Sequence, residues 1–460
     1  MRRALVALVL VTACSSGTST GAPSPTSPAS TSASPSAAPT TTSPTPATAA
    51  DWTTYGGDPA RSSYVADGPD SSGAAVTWRA DLDGRVYGSP LVVGGHVIAA
   101  TEGGSIYALD LTTGKVLWRR HLTTPLPGSA LPCGNIDPIA FTGTPVYDPR
   151  TGLVFAVATE RGVRHMLYGV RASTGAVGVT RVVDVPGMEP ATHLQRAALL
   201  LSGATVYIAY GGNYGDCGAY QGRVVAAPTS GSGALRSFAV PTHREAGIWG
   251  ASGPALMPGG DLLVTTGNGE ATGGTWDKSD SVLRLSPALA LKDGFAPTSW
   301  AKENSADADL GSMGPLLLPG AHRVISAGKG GNAFLLDVDH LGGVGGQLSA
   351  LGDCSAYGGG AVTARVVFLP CEEGLTQVSA TGDRLRRGWR SPVVGSPLVV
   401  GSTVWVVDQE GRATGLDATT GKQRVQLEVG AATRFAKPAY SAGFLLLPTK
   451  AGVTAVRLVR

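Results

Sequence analysis

One unit returns eight times along this chain, and it limits the fold more than any other feature. The unit is a small residue followed by Pro or Ala, two to four apolar residues, a Gly-containing turn and a second apolar run. Its first copy is Ser89-Pro90-Leu91-Val92-Val93-Gly94-Gly95, followed by Val97-Ile98-Ala99. Later copies begin at Thr144-Pro145, Ala197-Ala198, Gly253-Pro254, Gly314-Pro315, Gly360-Ala361, Ser396-Pro397 and Lys437-Pro438. The spacing averages about fifty residues, which leaves room for four short strands per unit. With 65 Gly and 31 Pro breaking the apolar runs, no 3.6-residue period reaches helical length. A lone four-stranded sheet leaves both faces bare, whereas sheets stacked around an axis cover each other. The repeat therefore predicts an all-β, eight-bladed β-propeller over residues 51–460. The sixth unit is short, which leaves a seven-bladed ring with one accessory unit as the alternative.

A second motif sets the register of the blades. Asp110-Leu111-Thr112-Thr113-Gly114-Lys115 is nearly repeated at Asp417-Ala418-Thr419-Thr420-Gly421-Lys422, with a weaker copy at Arg171-Ala172-Ser173-Thr174-Gly175. Asp and Thr side chains bond nearby backbone N–H groups in such a turn, and Gly supplies positive φ. The turn joins a third strand to a fourth. Val76-Thr77-Trp78-Arg79 parallels Val116-Leu117-Trp118-Arg119, yet no earlier strands precede it, and the eighth unit runs out after its third strand. Residues 75–82 are thus expected to supply the outer strand of the last blade and close the ring.

The N-terminal 50 residues obey different rules. Arg2 and Arg3 precede a short apolar run, and small residues follow, the layout of a secretory signal peptide over residues 1–13. The run is far below the roughly 20 residues that span a bilayer. Val11-Thr12-Ala13-Cys14 resembles the lipobox of bacterial lipoproteins, which implies a lipid on Cys14 and an extracytoplasmic protein anchored to a bacterial membrane. Ordinary secretion with a free Cys14 thiol is the alternative. Residues 15–50 hold only Ser, Thr, Pro, Ala and Gly, so 14–50 is expected to be a lipidated cysteine followed by a disordered tether.

With Cys14 assigned to lipid, Cys133, Cys217, Cys354 and Cys371 form an even set for an oxidising compartment. Three pairings are open. Cys354 and Cys371 bracket part of the short sixth unit, which favours a bridge there and leaves Cys133 with Cys217. Their spacing matches no zinc pattern. A formal charge of +3, from 36 basic and 33 acidic residues, offers no field for nucleic acid, and no nucleic-acid partner is expected. The seven His form no His-x-x-x-His or His-Glu pair, and no nucleophile elbow, phosphate loop or complete EF-hand is present.

The ALDLTTGKVLW and GLDATTGK runs, together with Asp51-Trp52-Thr53-Thr54-Tyr55-Gly56-Gly57-Asp58, resemble the pyrroloquinoline-quinone-like (PQQ-like) propeller superfamily over nearly all of residues 51–460. That superfamily holds quinone-dependent dehydrogenases, assembly lipoproteins and uncharacterised envelope proteins. In its enzymes the resemblance implies a quinone between a Trp and a disulfide of adjacent cysteines, with Ca²⁺ on carboxylate and amide oxygens and an Asp as base. Here no two cysteines are adjacent. Trp249 is the candidate stacking floor, and Asn268 and Asp216 are the candidate oxygen ligands. Polar and aromatic residues also cluster at His193, Gln195, Arg196, Asp216, Trp249 and Asn268, where propellers line their axial funnel. These are the candidate axial ligand-binding residues, and the alternative is that they merely hold loops and blades. The leading expectation is a membrane-tethered propeller that acts as a binding or protein-interaction scaffold in the cell envelope, with an envelope protein as partner and no catalytic residues, cofactor or metal. A quinone- and Ca²⁺-dependent sugar or alcohol dehydrogenase and a cell-wall carbohydrate-binding propeller are the alternatives.

Overall fold

The computed structural model describes residues 51–320, 322–364 and 366–459. The signal peptide, Cys14 and the tether lie outside the described residues. The repeat builds eight sheets of at least four strands, one for each unit. The innermost strands are Leu91–Val93, Val146–Asp148, Leu200–Ser202, Ala255–Leu256, Leu316–Leu318, Ala361–Val362, Leu398–Val400 and Ala439–Ser441. Each begins within three residues of its small-residue–Pro/Ala signal. The short sixth unit is a complete blade, with Val366–Cys371, Gly374–Thr381 and Arg384–Ser391 following its inner strand. The seven-bladed alternative therefore falls. Among the described residues the one α-helix is Trp300–Ser305, in the insertion between blades 4 and 5.

Period-two alternation explains how the ring is filled. In blade 1, Leu91, Ile98, Ile106 and Ala108 pack against blade 2, whereas Val92, Val97, Tyr107 and Leu109 pack toward blades 8 and 7. Every sheet is sandwiched in this way, so apolar runs that look continuous in sequence bury both faces. Ring closure follows the sequence expectation: Gly73–Asp81 pairs antiparallel with Gly452–Val459, with Trp78 opposite Ala455.

The Asp-x-x-Thr-Gly turns do more than join strands. Asp110 Oδ1 accepts from the N–H groups of Thr112 and Thr113 and from Thr113 Oγ1, and Asp417 repeats all three bonds. Gly114 (φ 70°), Gly175 (φ 69°) and Gly421 (φ 70°) lie flat beneath indoles of the preceding blade. A Cβ on these glycines would stand 2.6, 2.6 and 2.5 Å from Trp78, Trp118 and Trp389 respectively. Each indole Nε1 donates to a turn carbonyl, of Leu111, Ala172 and Ala418, at 2.9, 3.0 and 3.1 Å. The motif thereby clamps the 8/1, 1/2 and 6/7 interfaces.

Two parallel strand additions are not visible in the repeat. Tyr64–Val65 adds parallel to the inner strand of blade 7, and Gly343–Val344 adds parallel to the outer strand of blade 4. The first ends a segment that fills the ring axis. Trp52 exchanges backbone bonds with Val92, Thr53 accepts from Tyr147, Pro59 from Leu256, Ser62 from Val362 and Ser63 from Val399. These partners belong to the inner strands of blades 1, 2, 4, 6 and 7. Arg61, fully buried, donates to the carbonyls of Leu199 and Pro254 at 2.9 and 3.0 Å. A buried guanidinium satisfied by carbonyls is expensive unless every N–H finds an acceptor, and it pins the plug in one position.

Candidate functional site

Above the plug, at the ends where the chain enters the inner strands, lies an axial cavity of about 970 Å³. Its walls follow a register. Tyr87, Arg196, Tyr357 and Phe435 each stand four residues before an inner strand, those starting at Leu91, Leu200, Ala361 and Ala439. Tyr214, Asn268, Lys329, Gln409 and Lys450 each stand two residues after a second strand, those ending at Gly212, Thr266, Ala327, Val407 and Pro448. Propeller symmetry brings equivalent positions of different blades onto one axis, so residues far apart in sequence share a wall.

Of the six axial candidates, Arg196, Asp216, Trp249 and Asn268 line this cavity. His193 and Gln195 do not. His193 is buried, with Nδ1 2.7 Å from the Glu189 carbonyl oxygen and Nε2 3.2 Å from that of Gln221. Burial lowers its pKa to about 4, which makes it a neutral packing group. Gln195 donates through Nε2 to the Ala197 carbonyl, 2.5 Å away, behind the wall. Both precede the funnel-facing Arg196, and the extended chain aims them elsewhere.

On the side formed by blades 3 to 5, each lining carboxylate already has a partner. Asp309 is buried and was not anticipated from sequence; its Oδ1 accepts from Asn268 N–H at 2.8 Å and from Trp249 Nε1 at 3.4 Å. Its Oδ2 forms an ion pair with Lys329, whose Nζ also meets Asp307 at 2.9 Å. Burial opposes the ammonium of Lys329, but Asp309 and Asp307 outweigh it and hold its pKa above the usual range. Gly267 is needed here, since a Cβ on it would collide with the Asp309 carboxylate. Asp216 (φ 49°) accepts at Oδ1 from Tyr220 Oη at 2.5 Å. Cys133 and Cys217 are bonded to each other and tie the loop after blade 1 to the loop carrying Asp216. Cys354 is bonded to Cys371.

The side formed by blades 6 to 8 and 1 is different. Phe435, held at φ 66° despite its bulk, packs 6.0 Å from Trp249 and stacks with Tyr357 at 6.1 Å and 11°. The Arg434 guanidinium lies 4.9 Å from both the Phe435 and Tyr357 rings. Arg196 lies 5.6 Å from the Tyr87 ring and 5.8 Å from Phe435, and donates to the Arg434 carbonyl at 3.2 Å. A left-handed, bulky residue amid stacked guanidinium groups is a site of stored backbone strain, the kind of outlier that accompanies function. Behind this wall Glu102 accepts from Ala140 N–H at 2.5 Å and Thr142 Oγ1 at 2.7 Å, and burial pushes its carboxyl up to about 7.

The ring, amide and carboxylate implied by the quinoprotein resemblance do meet, at Trp249, Asn268 and Asp309. The rest of the set does not fit a quinone with Ca²⁺. The cation beside Asp309 is the chain's own Lys329 ammonium, and Asp216 is engaged by Tyr220. Among the described residues no group of three or more His, Cys, Asp and Glu could hold a metal ion. The disulfides join cysteines 84 and 17 positions apart, so neither supplies a bridge of neighbours. No reaction step is assigned to these residues.

The family model described as outer membrane protein assembly factor BamB matches residues 68–236. The protein of that name from Yersinia pestis is 25% identical over 225 residues, 48% of this chain and 50% of that protein. The chain thus spans about half the length of the curated relative it matches. Among solved structures, quinohemoprotein alcohol dehydrogenase from Pseudomonas putida superposes with a TM-score of 0.67 at 15% identity, covering 89% of this chain and 80% of that one. BamB from Moraxella catarrhalis superposes with a TM-score of 0.60 at 16% identity, covering 84% of this chain and all of that one. At such identities the superpositions speak for the fold alone. Eight blades of at least four strands make the chain an eight-bladed β-propeller, and over residues 68–236 its sequence is similar to the PQQ-like repeats of the assembly-factor family model.

Proposed function

We propose that this chain is an extracytoplasmic scaffold, tethered to a membrane by a lipid on Cys14, that binds an envelope protein through its axial funnel. The observation that carries this reading is the funnel itself: a blind cavity of about 970 Å³ whose carboxylates are already engaged, while its rings and several of its cations face the opening. Such a lining holds a ligand but presents no nucleophile beside a base. The likeness to a relative named as an outer membrane protein assembly factor supports an envelope setting and a protein partner. The Val11-Thr12-Ala13-Cys14 sequence supports the anchor, and the four remaining cysteines suit an oxidising compartment. No helix among the described residues is long and apolar enough to cross a membrane.

Crosslinking in the native envelope from a photoreactive group at Tyr214 tests the reading. This residue is 67% exposed and lines the cavity. A discrete protein adduct is expected, and its absence would overturn the scaffold assignment. Cys14→Ser should release the protein into the medium, and continued membrane retention would remove the anchor. Micromolar binding of pyrroloquinoline quinone in the presence of Ca²⁺ would replace the scaffold with a quinoprotein reading.

A further inference from the structure

The funnel is electrically lopsided. On the blades 3 to 5 side, Lys329 is neutralised by Asp307 and Asp309. On the opposite side Arg85, Arg196, Arg434 and Lys450 form an arc of four cations. Among the described residues Arg85, Arg196 and Lys450 make no ion pair with a carboxylate, and Arg434 reaches only Glu372, at 3.8 Å on an exposed side chain. Arg196 is only 6% exposed, yet it lines the cavity. A guanidinium so far removed from water costs free energy unless something compensates it. Its present partners are two rings and one carbonyl, and Glu102 behind it is the nearest acid to influence it.

We infer that the funnel takes a short acidic segment of a partner protein, its carboxylates on the arc Arg85–Arg196–Arg434–Lys450 and an apolar side chain against Trp249. This inference rests on the scaffold reading and names the chemistry of the partner. The four cations come from the approaches to blades 1, 3 and 8 and from a loop of blade 8, so separate stretches of the wall contribute them. A row of spaced carboxylates matches that layout better than a single compact anion does. The guanidinium groups of Arg434 and Arg196 lie within 4.9 and 5.6 Å of ring centroids, and a guanidinium held there still offers N–H groups for bidentate carboxylate contacts. Trp249 and Phe435, 6.0 Å apart, provide the apolar surface at the centre. The plug beneath the cavity stops the segment from threading through, so it enters and leaves by the same mouth.

The test is fluorescence anisotropy of the full chain with a labelled acidic hexapeptide containing four glutamates and one phenylalanine. A matched peptide with lysines in place of the glutamates is the control. Saturable binding of the acidic peptide alone is expected, weakening as salt rises from about 50 to about 500 mM. Arg434→Gln with Lys450→Gln, both at exposed positions, should weaken it at least about tenfold. Unchanged affinity in that double variant, equal binding of the lysine peptide, or no binding at about 1 mM would each overturn the inference. Full competition by inorganic phosphate at its own saturating concentration would show a small-anion site instead, and would equally overturn it. The scaffold reading fails separately. If the Tyr214 crosslink persists in the double variant, the scaffold stands and the acidic-segment inference falls; if the wild type yields no adduct, the scaffold falls whatever the peptide does.

Discussion

Two arcs of this ring hold together by different means. At the 8/1, 1/2 and 6/7 interfaces one repeated device recurs, an indole laid on a left-handed glycine with its Nε1 bonded to a turn carbonyl. Blades 3 to 5 lack this turn. They carry instead the helix Trp300–Ser305, the added strand Gly343–Val344, an ion pair of buried Asp309 with half-buried Lys329 and a disulfide at Cys217. The difference teaches how a repeat protein can specialise. A local device copied with the repeat clamps three of the eight interfaces, while other blades lengthen loops and bury polar groups that a repeat consensus would not tolerate.

The largest test of this contrast removes the covalent tie. Cys133→Ser with Cys217→Ser opens a loop of 84 positions and should cost about 4.5 kcal/mol, whereas Cys354→Ser with Cys371→Ser, over 17 positions, should cost about 3 kcal/mol. Urea denaturation measures both, and equal losses would contradict the loop-length account. Next in size is the clamp. Trp389→Ala should cost about 3 kcal/mol, while Gly231→Ala, where a left-handed glycine (φ 77°) meets only Val179, should cost about 1 kcal/mol. Similar costs would mean the indole clamp is no stronger than an ordinary turn contact.

The polar arc should also show itself through pH. Burial pushes the Asp280 carboxyl up to about 9, and its Oδ2 has no hydrogen-bond partner. The folded state then holds a proton that the unfolded chain gives up near 3.8, so this group's contribution falls as pH rises from 4 to 9. Asp280→Asn removes that slope and should raise Tm at pH 8 by about 2–4 °C. No change at pH 8 would place the proton elsewhere. The smallest effect is at His193, whose pKa burial lowers from 6.5 to about 4. Its contribution is complete above pH 6.5 and is lost as pH falls toward 4. Denaturation midpoints of His193→Asn should therefore depend less on pH between 7 and 4 than those of the parent chain.

Much of the fold could be read directly from the sequence because blade formation is local. A small residue and Pro or Ala open each inner strand, glycine turns follow at set distances, and alternating burial needs only nearest neighbours in sequence. The unpaired run around Trp78 even exposed the closure with Gly452–Val459. The site was readable only in part. Arg196, Asp216, Trp249 and Asn268 stood out because they interrupt apolar surroundings within one stretch, and all four reach the cavity. His193 and Gln195 stood out for the same reason, but strand direction turns them into the wall. Tyr357, Phe435, Lys329 and Asp309 were passed over because each is solitary in its own blade. Aligning the eight units would have found three of them, since Tyr357 and Phe435 share the place four residues before an inner strand and Lys329 shares one two residues after a second strand.

By itself the sequence determined the blade register, the closing strand and the positions of the tight turns, all consequences of short-range periodicity and backbone geometry, and it left seven or eight blades open until the sixth unit proved to be a complete sheet. Only the tertiary structure decided which side chains share the axis, that Lys329 neutralises Asp309, and that Arg85, Arg196, Arg434 and Lys450 face one cavity from three blade approaches and a blade loop. Charges meet there because rotation about a ring axis superposes positions separated by one or more whole repeats, and no local pattern along the chain records that superposition.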